Sequence, residues 1–312
     1  MISALPPPPC LSSTAYRDWC YSRSFFSAGL RSSNVDLDDG RTTVHCWVPR
    51  SPDPDSRPSV LLIHGFGANA TWQWDAYVRP LLSAGFDLYI PDLLFFGGSY
   101  TVRSERDESF QAECIMAAMK ALKIRRLKAV VGVSYGGFVG FRIAALFPAA
   151  VERVVLICAG VCLEEKDLKE GMFVVDNPAE AANILLPQTP EMLRRLIPNP
   201  DNMGEQDQVF PLELGHRLSR LLEKSQLVVI KNAGHAVNLE KSKELCKHLE
   251  AFVIDTSKEE EHSKCKKMIN GQENNVKRRD FKPKNGPQFK GKVSTLILYV
   301  ELGLGLNNKR VE

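Results

Sequence analysis

Ala129-Val130-Val131-Gly132-Val133-Ser134-Tyr135-Gly136-Gly137 decides the reading of this chain. An apolar, β-branched run ends in a serine flanked by glycines, and a helix-like segment, Gly136 to Phe147, begins at once. A serine on so sharp a strand-to-helix turn needs small neighbours for the chain to pass. Its hydroxyl then projects outward, and the N–H of Tyr135 sits at a helix N-terminus facing any developing oxyanion. A bare Gly-x-Ser-x-Gly match is a weak signal, because small residues gather in any turn. The strand before it and the helix after it make a nucleophile turn the better reading.

Working outward, short apolar runs have the length and composition of buried strands at Thr43–Val48, Val60–Ile63, Phe86–Ile90, Lys128–Val133, Val154–Cys158 and Leu227–Ile230. Helix-like stretches alternate with them at Trp72–Ala84, Ser109–Leu122, Gly136–Phe147, Pro211–Leu222 and Lys241–Phe252. Strand alternating with helix predicts an α/β domain with a mostly parallel sheet covered on both faces. No internal repeat is present.

Other residues able to do chemistry lie where this rhythm puts strand ends. Leu61-Leu62-Ile63-His64-Gly65-Phe66-Gly67 closes one strand, and its glycines let the loop approach a ligand, so the Phe66 N–H is a second oxyanion donor candidate. His64 is read as a structural brace for that loop. The base candidate is His235, which leaves a strand through Gly234 and precedes a helix. A serine hydroxyl needs a neighbouring imidazole to take its proton, and the imidazole needs a carboxylate to hold its tautomer. Asp207, in Gly204-Glu205-Gln206-Asp207-Gln208-Val209-Phe210-Pro211, is the first choice for that carboxylate; Glu205 and Glu164 are fallbacks.

Composition sets the bounds. The 312 residues are 44% hydrophobic and 25% charged with a net charge of +3, too near balance to argue for a nucleic-acid partner. The eight cysteines, at 10, 20, 46, 114, 158, 162, 246 and 265, form no C-x-x-C pair and follow no zinc spacing. They read as thiols in a reducing compartment, the cytoplasm, with Cys158 and Cys162 as core packing. No run reaches the ~20 apolar residues of a membrane span. Met1 to Asn34 holds one acid, Asp18, a composition compatible with an organellar transit peptide. The preferred reading is an amphipathic lead-in making contacts through Trp19, Tyr21, Phe25, Phe26 and Leu30.

Together, His64-Gly65-Phe66-Gly67, Pro91-Asp92-Leu93 with Phe96-Gly97, Gly132 to Gly137, Gly204 to Pro211 and Gly234-His235 resemble the α/β-hydrolase fold family. They are most similar to its plant soluble members grouped with monoacylglycerol lipases, carboxylesterases and C–C bond hydrolases. The resemblance covers roughly residues 35 to 255. It implies a Ser134, Asp207, His235 triad in the family's chain order, an oxyanion hole from Phe66 and Tyr135, a small-molecule ester substrate and no cofactor. A serine nucleophile sets the chain apart from epoxide hydrolases and haloalkane dehalogenases, whose pattern has aspartate there.

Three segments then follow: a lead-in over 1–34, the hydrolase domain over 35–255 with a short cap insert about 162–200, and a basic tail over 256–312. Polar runs such as Lys258-Glu259-Glu260-Glu261 and Lys277-Arg278-Arg279 predict disorder for that tail. One departure stands out. In the family a buried strand feeds the acid turn, whereas here Leu196-Ile197-Pro198-Asn199-Pro200-Asp201-Asn202-Met203 precedes Gly204. Two prolines remove ladder donors from any central strand. The expectation is therefore that part of the cap and the penultimate strand are absent. Each orphaned buried backbone group costs ~1–3 kcal/mol against a total stability of ~5–15 kcal/mol, so either the sheet re-pairs or the domain is marginal and Asp207 is poorly positioned.

Overall fold

The computed structural model describes residues 12–53, 56–164, 166–167, 210–254 and 293–301. Among these residues the central sheet has nine strands: β1 Leu30–Asp36, β2 Thr42–Pro49, β3 Ser59–Ile63, β4 Asp87–Pro91, β5 Tyr100–Thr101, β6 Leu127–Val133, β7 Val151–Ile157, β8 Ser225–Lys231 and β9 Ser294–Glu301. Their spatial order is β1-β2-β4-β3-β6-β7-β9-β8, with the short β5 pairing β2. Pairing is antiparallel from β1 to β2 and from β2 to β4, and parallel across β4, β3, β6, β7, β9 and β8.

Among the described residues seven helices accompany the sheet: α1 Ser13–Ser27, α2 Ala70–Ser83, α3 Glu108–Ala121, α4 Tyr135–Leu146, α5 Leu212–Leu221, α6 Val237–Glu240 and α7 Ser242–Ile254. Local chemistry sets where two of them start. The Asn69 side chain accepts from the Trp72 N–H at 2.9 Å, and Asp107 accepts from the Phe110 N–H at 2.9 Å, each satisfying an orphan donor of a first turn.

Every residue of β3 and of β4 is buried, because helices cover both sheet faces and no alternation is required. One core joins Phe110, Val139, Ile143, Leu214 and Leu218 of α3, α4 and α5 to one face. The other joins Phe25, Trp74, Tyr77, Leu245 and Leu249 of α1, α2 and α7 to the opposite face. The fold class read from the sequence holds, and each expected strand and helix is found within a few residues of its expected bounds.

Both ends of the chain enter this fold further than the sequence segments suggested. Residues 1–34 were set apart as a lead-in, yet β1 runs from Leu30 across that boundary and pairs with β2 over its whole length. Helix α1 docks through Phe25, whose ring meets Trp47 edge-on at 5.2 Å. Residues 256–312 were set apart as a tail, yet Ser294–Glu301 is β9, a strand inside the sheet.

Strand β9 also corrects the expectation of a missing strand. It lies between β7 and β8, so the slot is filled from the far end of the sequence. Leu296 and Leu298 join one core, and Ile297 and Tyr299 join the other. Ladder pairing needs complementary edges, and adjacency in sequence is irrelevant to it. A search confined to the residues before Gly204 could not find this strand. Most of the cap insert about 162–200, and the acid turn to Val209, lie outside the described residues.

Candidate active site

The parallel strands end on one edge of the sheet, and three of those ends turn through left-handed backbone. Ser134 after β6, Cys158 after β7 and Asn232 after β8 have φ of 51°, 46° and 56°. None is glycine, so each position carries backbone strain that the surrounding packing holds in place. Such strain concentrates where side chains are aimed for function.

At Ser134, φ is 51° and ψ is −118°, and the residue caps α4 directly. Its N–H donates to Ile157 O at 2.8 Å, fixing the turn to β7. The flanking glycines are required by close approach. A Cβ on Gly132 would overlap the Gly136 carbonyl, and one on Gly136 would stand 2.5 Å from both the Ile63 and His64 carbonyl oxygens. The Gly-x-Ser-x-Gly pattern is thus the imprint of three backbones meeting behind one serine.

The base candidate comes to this serine. His235 Nε2 is 3.0 Å from Ser134 Oγ. Its loop is held by Gly234 N–H donating to Glu240 Oε2 at 3.0 Å, and Tyr77 OH donates to Asn238 O at 2.7 Å just beyond. The ring of Phe210 lies tilted at 5.8 Å from the His235 ring and at 5.8 Å from Phe138.

The two residues expected to supply oxyanion donors lie on the turns that meet at Ser134. Tyr135 is the first residue of α4, so its N–H has no intrahelical acceptor. Gly65, the neighbour of Phe66, packs so closely that a Cβ there would lie 3.5 Å from Ser134 Cβ. The rings of Phe66 and Tyr135 meet edge-on at 6.4 Å, and Phe66 meets Phe96 at 5.4 Å.

Of the acid candidates, Asp207 and Glu205 lie outside the described residues. Glu164 is described, and its carboxylate pairs with Lys166 Nζ at 2.9 Å. Nearby Asp167 is committed to a two-pronged pair with Arg217, at 2.5 and 2.9 Å. That guanidinium, against the cost of burial, holds the Asp167 carboxyl below its usual range.

His64 takes the bracing role read from the sequence. Its Nδ1–H donates to Gly65 O at 2.8 Å, so its Nε2 accepts from the Leu93 N–H at 2.9 Å. One ring nitrogen donates and the other accepts, which requires neutral imidazole. Burial disfavours the charged ring and lowers its pKa, although Gly65 O and Asp92 work the other way.

Sequence reading assigned no role to Asp92, the hub beneath these loops. Its Oδ1 accepts from Ala70 N–H at 2.8 Å, and its Oδ2 accepts from His45 Nδ1 at 2.8 Å and Gly98 N–H at 2.9 Å. Burial opposes its charge, but these donors together hold the carboxyl below its usual range. Gln73 and Gln111 brace the same region, accepting from the Gly65 N–H at 3.1 Å and the Leu94 N–H at 2.9 Å. The only signal for Asp92 in the sequence was its place in Pro91-Asp92-Leu93.

A family model described as alpha/beta hydrolase fold matches residues 58–198, the span holding β3, α2, β4, α3, β6, the serine turn and β7. The chain has the α/β-hydrolase fold. An uncharacterised protein of Mycobacterium tuberculosis is 36% identical over 143 residues, a match spanning 46% of this chain and 41% of that relative. The chain therefore spans about two fifths of the length of that curated relative. A 2-hydroxy-6-oxo-2,4-heptadienoate hydrolase of Pseudomonas putida is 26% identical, over 68% of this chain and 95% of that enzyme. Among solved structures, a membrane phospholipase A described as a bacterial virulence factor superposes with a TM-score of 0.54 at 25% identity, over 75% of this chain and 89% of that one. Among the described residues, no helix is long and apolar enough to cross a membrane.

Proposed function

We propose that this chain is a serine hydrolase that cleaves a carboxylic ester, with an acylglycerol-like ester as the substrate class to test first. The observation that carries the reading is the 3.0 Å approach of His235 Nε2 to Ser134 Oγ, on a turn whose φ of 51° aims the hydroxyl off the sheet edge. Ser134 Oγ attacks the ester carbonyl while His235 takes its proton. Asp207 holds the imidazole in the required tautomer, and the Phe66 and Tyr135 N–H groups receive the oxyanion. The alcohol leaves with the proton from His235. A water, activated in turn by His235, attacks the acyl-enzyme and frees the carboxylic acid.

The aromatic side chains beside the site, Phe66 and Phe96 on one flank and Phe138 and Phe210 on the other, support an apolar acyl group. A fluorophosphonate probe tests the mechanism: the chain should be labelled, and Ser134→Ala should not. An unlabelled wild-type protein, or equal labelling of the variant, overturns the reading and leaves a non-catalytic ligand-binding role for the scaffold.

A second reading is C–C bond hydrolysis, favoured by the alignment across 95% of the Pseudomonas putida hydrolase. It would use the same serine, histidine and carboxylate. Parallel turnover of esters and of a vinylogous 1,5-diketone separates the two.

A further inference from the structure

Among the described residues, strand β8, which leads into His235, lies at the end of the sheet with β9 as its only strand neighbour. Its seven residues all pair with β9, from Ser225 opposite Thr295 to Lys231 opposite Glu301. On its other side β9 pairs with β7, from Arg153 opposite Ser294 to Ile157 opposite Leu298. Among the described residues, strand β9 is thus the whole of the sheet connection between the half of the site that holds Ser134 and the half that holds His235.

Direct bonds reinforce the link. Leu298 O accepts from the Cys158 N–H at 2.9 Å, and Tyr299 OH donates to Ala159 O at 2.8 Å. Cys158 and Ala159 directly follow Ile157, whose carbonyl holds the Ser134 N–H. Tyr299 is wholly buried, and its ring packs so near Gly215 that a Cβ there would come within 2.7 Å.

Nothing in chain order forces β9 into this slot. The chain runs from β7 through α5 to β8 without it, and β9 returns only after α7 and residues 255–292. We propose that the β7–β8 slot is a docking groove for an extended apolar strand, that its occupant is the chain's own Val293–Glu301, and that Ser134 and His235 form a working pair only while this strand is seated. The strand acts as a separable positioning element. Its removal leaves both residues in the chain but unhooks the edge carrying the base. The activity part of this inference rests on the serine-hydrolase reading, whereas the docking part does not.

The test uses the full chain carrying Leu298→Pro, which removes a ladder donor in the middle of β9. Its probe labelling at Ser134 should fall by roughly 100-fold, the scale expected when a catalytic pair is displaced by about an ångström. A synthetic peptide of Val293–Glu301, with lysines added at both ends for solubility, should bind the variant and restore most of the labelling. The same peptide carrying the proline should do neither. Wild-type labelling in Leu298→Pro, or no peptide binding to a folded Leu298→Pro chain, overturns the proposal.

Where that variant does not fold, hydrogen exchange on the wild-type chain in mild denaturant decides. Exchange at β9 and loss of labelling should occur together, below the transition of β3, β4 and β6; a single common transition overturns the proposal. If the wild type itself is never labelled, the serine-hydrolase reading fails, and binding of a fluorescent peptide to Leu298→Pro still judges the docking groove.

Discussion

His235 Nε2 meets Ser134 Oγ at 3.0 Å across 101 residues of sequence, at the edge of the sheet where three strands end in left-handed turns. The two residues follow strands that are not neighbours: β6 is followed by β7, β9 and β8 in the sheet. A hydroxyl and an imidazole in contact at that distance behave as one chemical unit. Under the proposed mechanism, Ser134→Ala and His235→Ala each lower ester turnover by about 10⁴-fold or more, and the double variant is little worse than either single one. Steady-state hydrolysis of an activated ester, with folding checked by circular dichroism, measures this. Additive losses in the double variant would show that the two residues do not work together.

Gly136→Ala should unfold the protein more readily without altering any polar group. The added methyl would stand 2.5 Å from two carbonyl oxygens, those of Ile63 and His64, and backbone cannot swing aside as a flexible side chain can. Overpacking of this kind costs roughly 1–3 kcal/mol. Urea denaturation should show a lower midpoint with an unchanged slope. A midpoint equal to the wild type would mean that the elbow has room for a methyl group after all.

The elbow was legible in sequence because its pattern is compact: Gly132 is denied a side chain by Gly136 and Gly137 of the same turn, and Gly136, crowded by Ile63 and His64 at the end of β3, stands two residues from the serine. The alternating strands and helices were legible for a similar reason, since each buried run announces itself by its own composition. Asp92 was not, because a carboxylate's worth depends on donors at His45, Ala70 and Gly98, scattered over the chain. Strand β1, Leu-Arg-Ser-Ser-Asn-Val-Asp, buries only Leu30 and Val35 and gives almost no apolar signal. Strand β9 has the composition of a core strand, but polar sequence surrounds it, and nothing local says between which partners it pairs.

Removing the Asp92 carboxylate should be the costliest change outside the Ser134–His235 pair. Asp92→Ala leaves the Ala70 and Gly98 N–H groups and the His45 ring without their acceptor. At about 1–3 kcal/mol for each buried donor left unpaired, the sum approaches the whole stability of a typical domain. Little soluble protein is expected. The lowered pKa of Asp92 gives the sign of the pH effect: its stabilisation is present above the unfolded carboxyl value of 3.8 and is lost as pH falls through the lower folded value. Asp92→Asn, which keeps one acceptor, should be milder and should flatten the acid limb of a stability profile.

His64 predicts a second pH dependence at a higher pH. Its folded pKa lies below the unfolded value of 6.5, so the unfolded chain binds a proton that the native ring refuses. Stability is therefore complete above about pH 6.5 and declines as pH falls from there toward the folded pKa. Melting temperature measured from pH 8 to 5 should drop for the wild type. The drop should be shallower in His64→Gln, whose amide cannot take up the proton. Parallel profiles for the two proteins would assign the decline to other groups.

The carboxylate partner of His235 is the part of the mechanism that sequence alone proposes. Asp207 is the choice, and the described residues narrow the alternatives by showing where others are spent: Glu164 on Lys166 and Asp167 on Arg217. A carboxylate that fixes the imidazole tautomer acts mainly on the rate constant, so Asp207→Asn should lower kcat by about 10⁴-fold while KM changes little. Glu164→Gln should leave kcat unchanged, because its carboxylate belongs to a surface pair. Asp167→Asn should lower stability by breaking the Arg217 pair, with kcat in the surviving folded protein preserved. Should Glu164→Gln carry the loss in place of Asp207→Asn, the acid would belong to the turn after β7, and the chain order Ser134, Asp207, His235 would have to be given up.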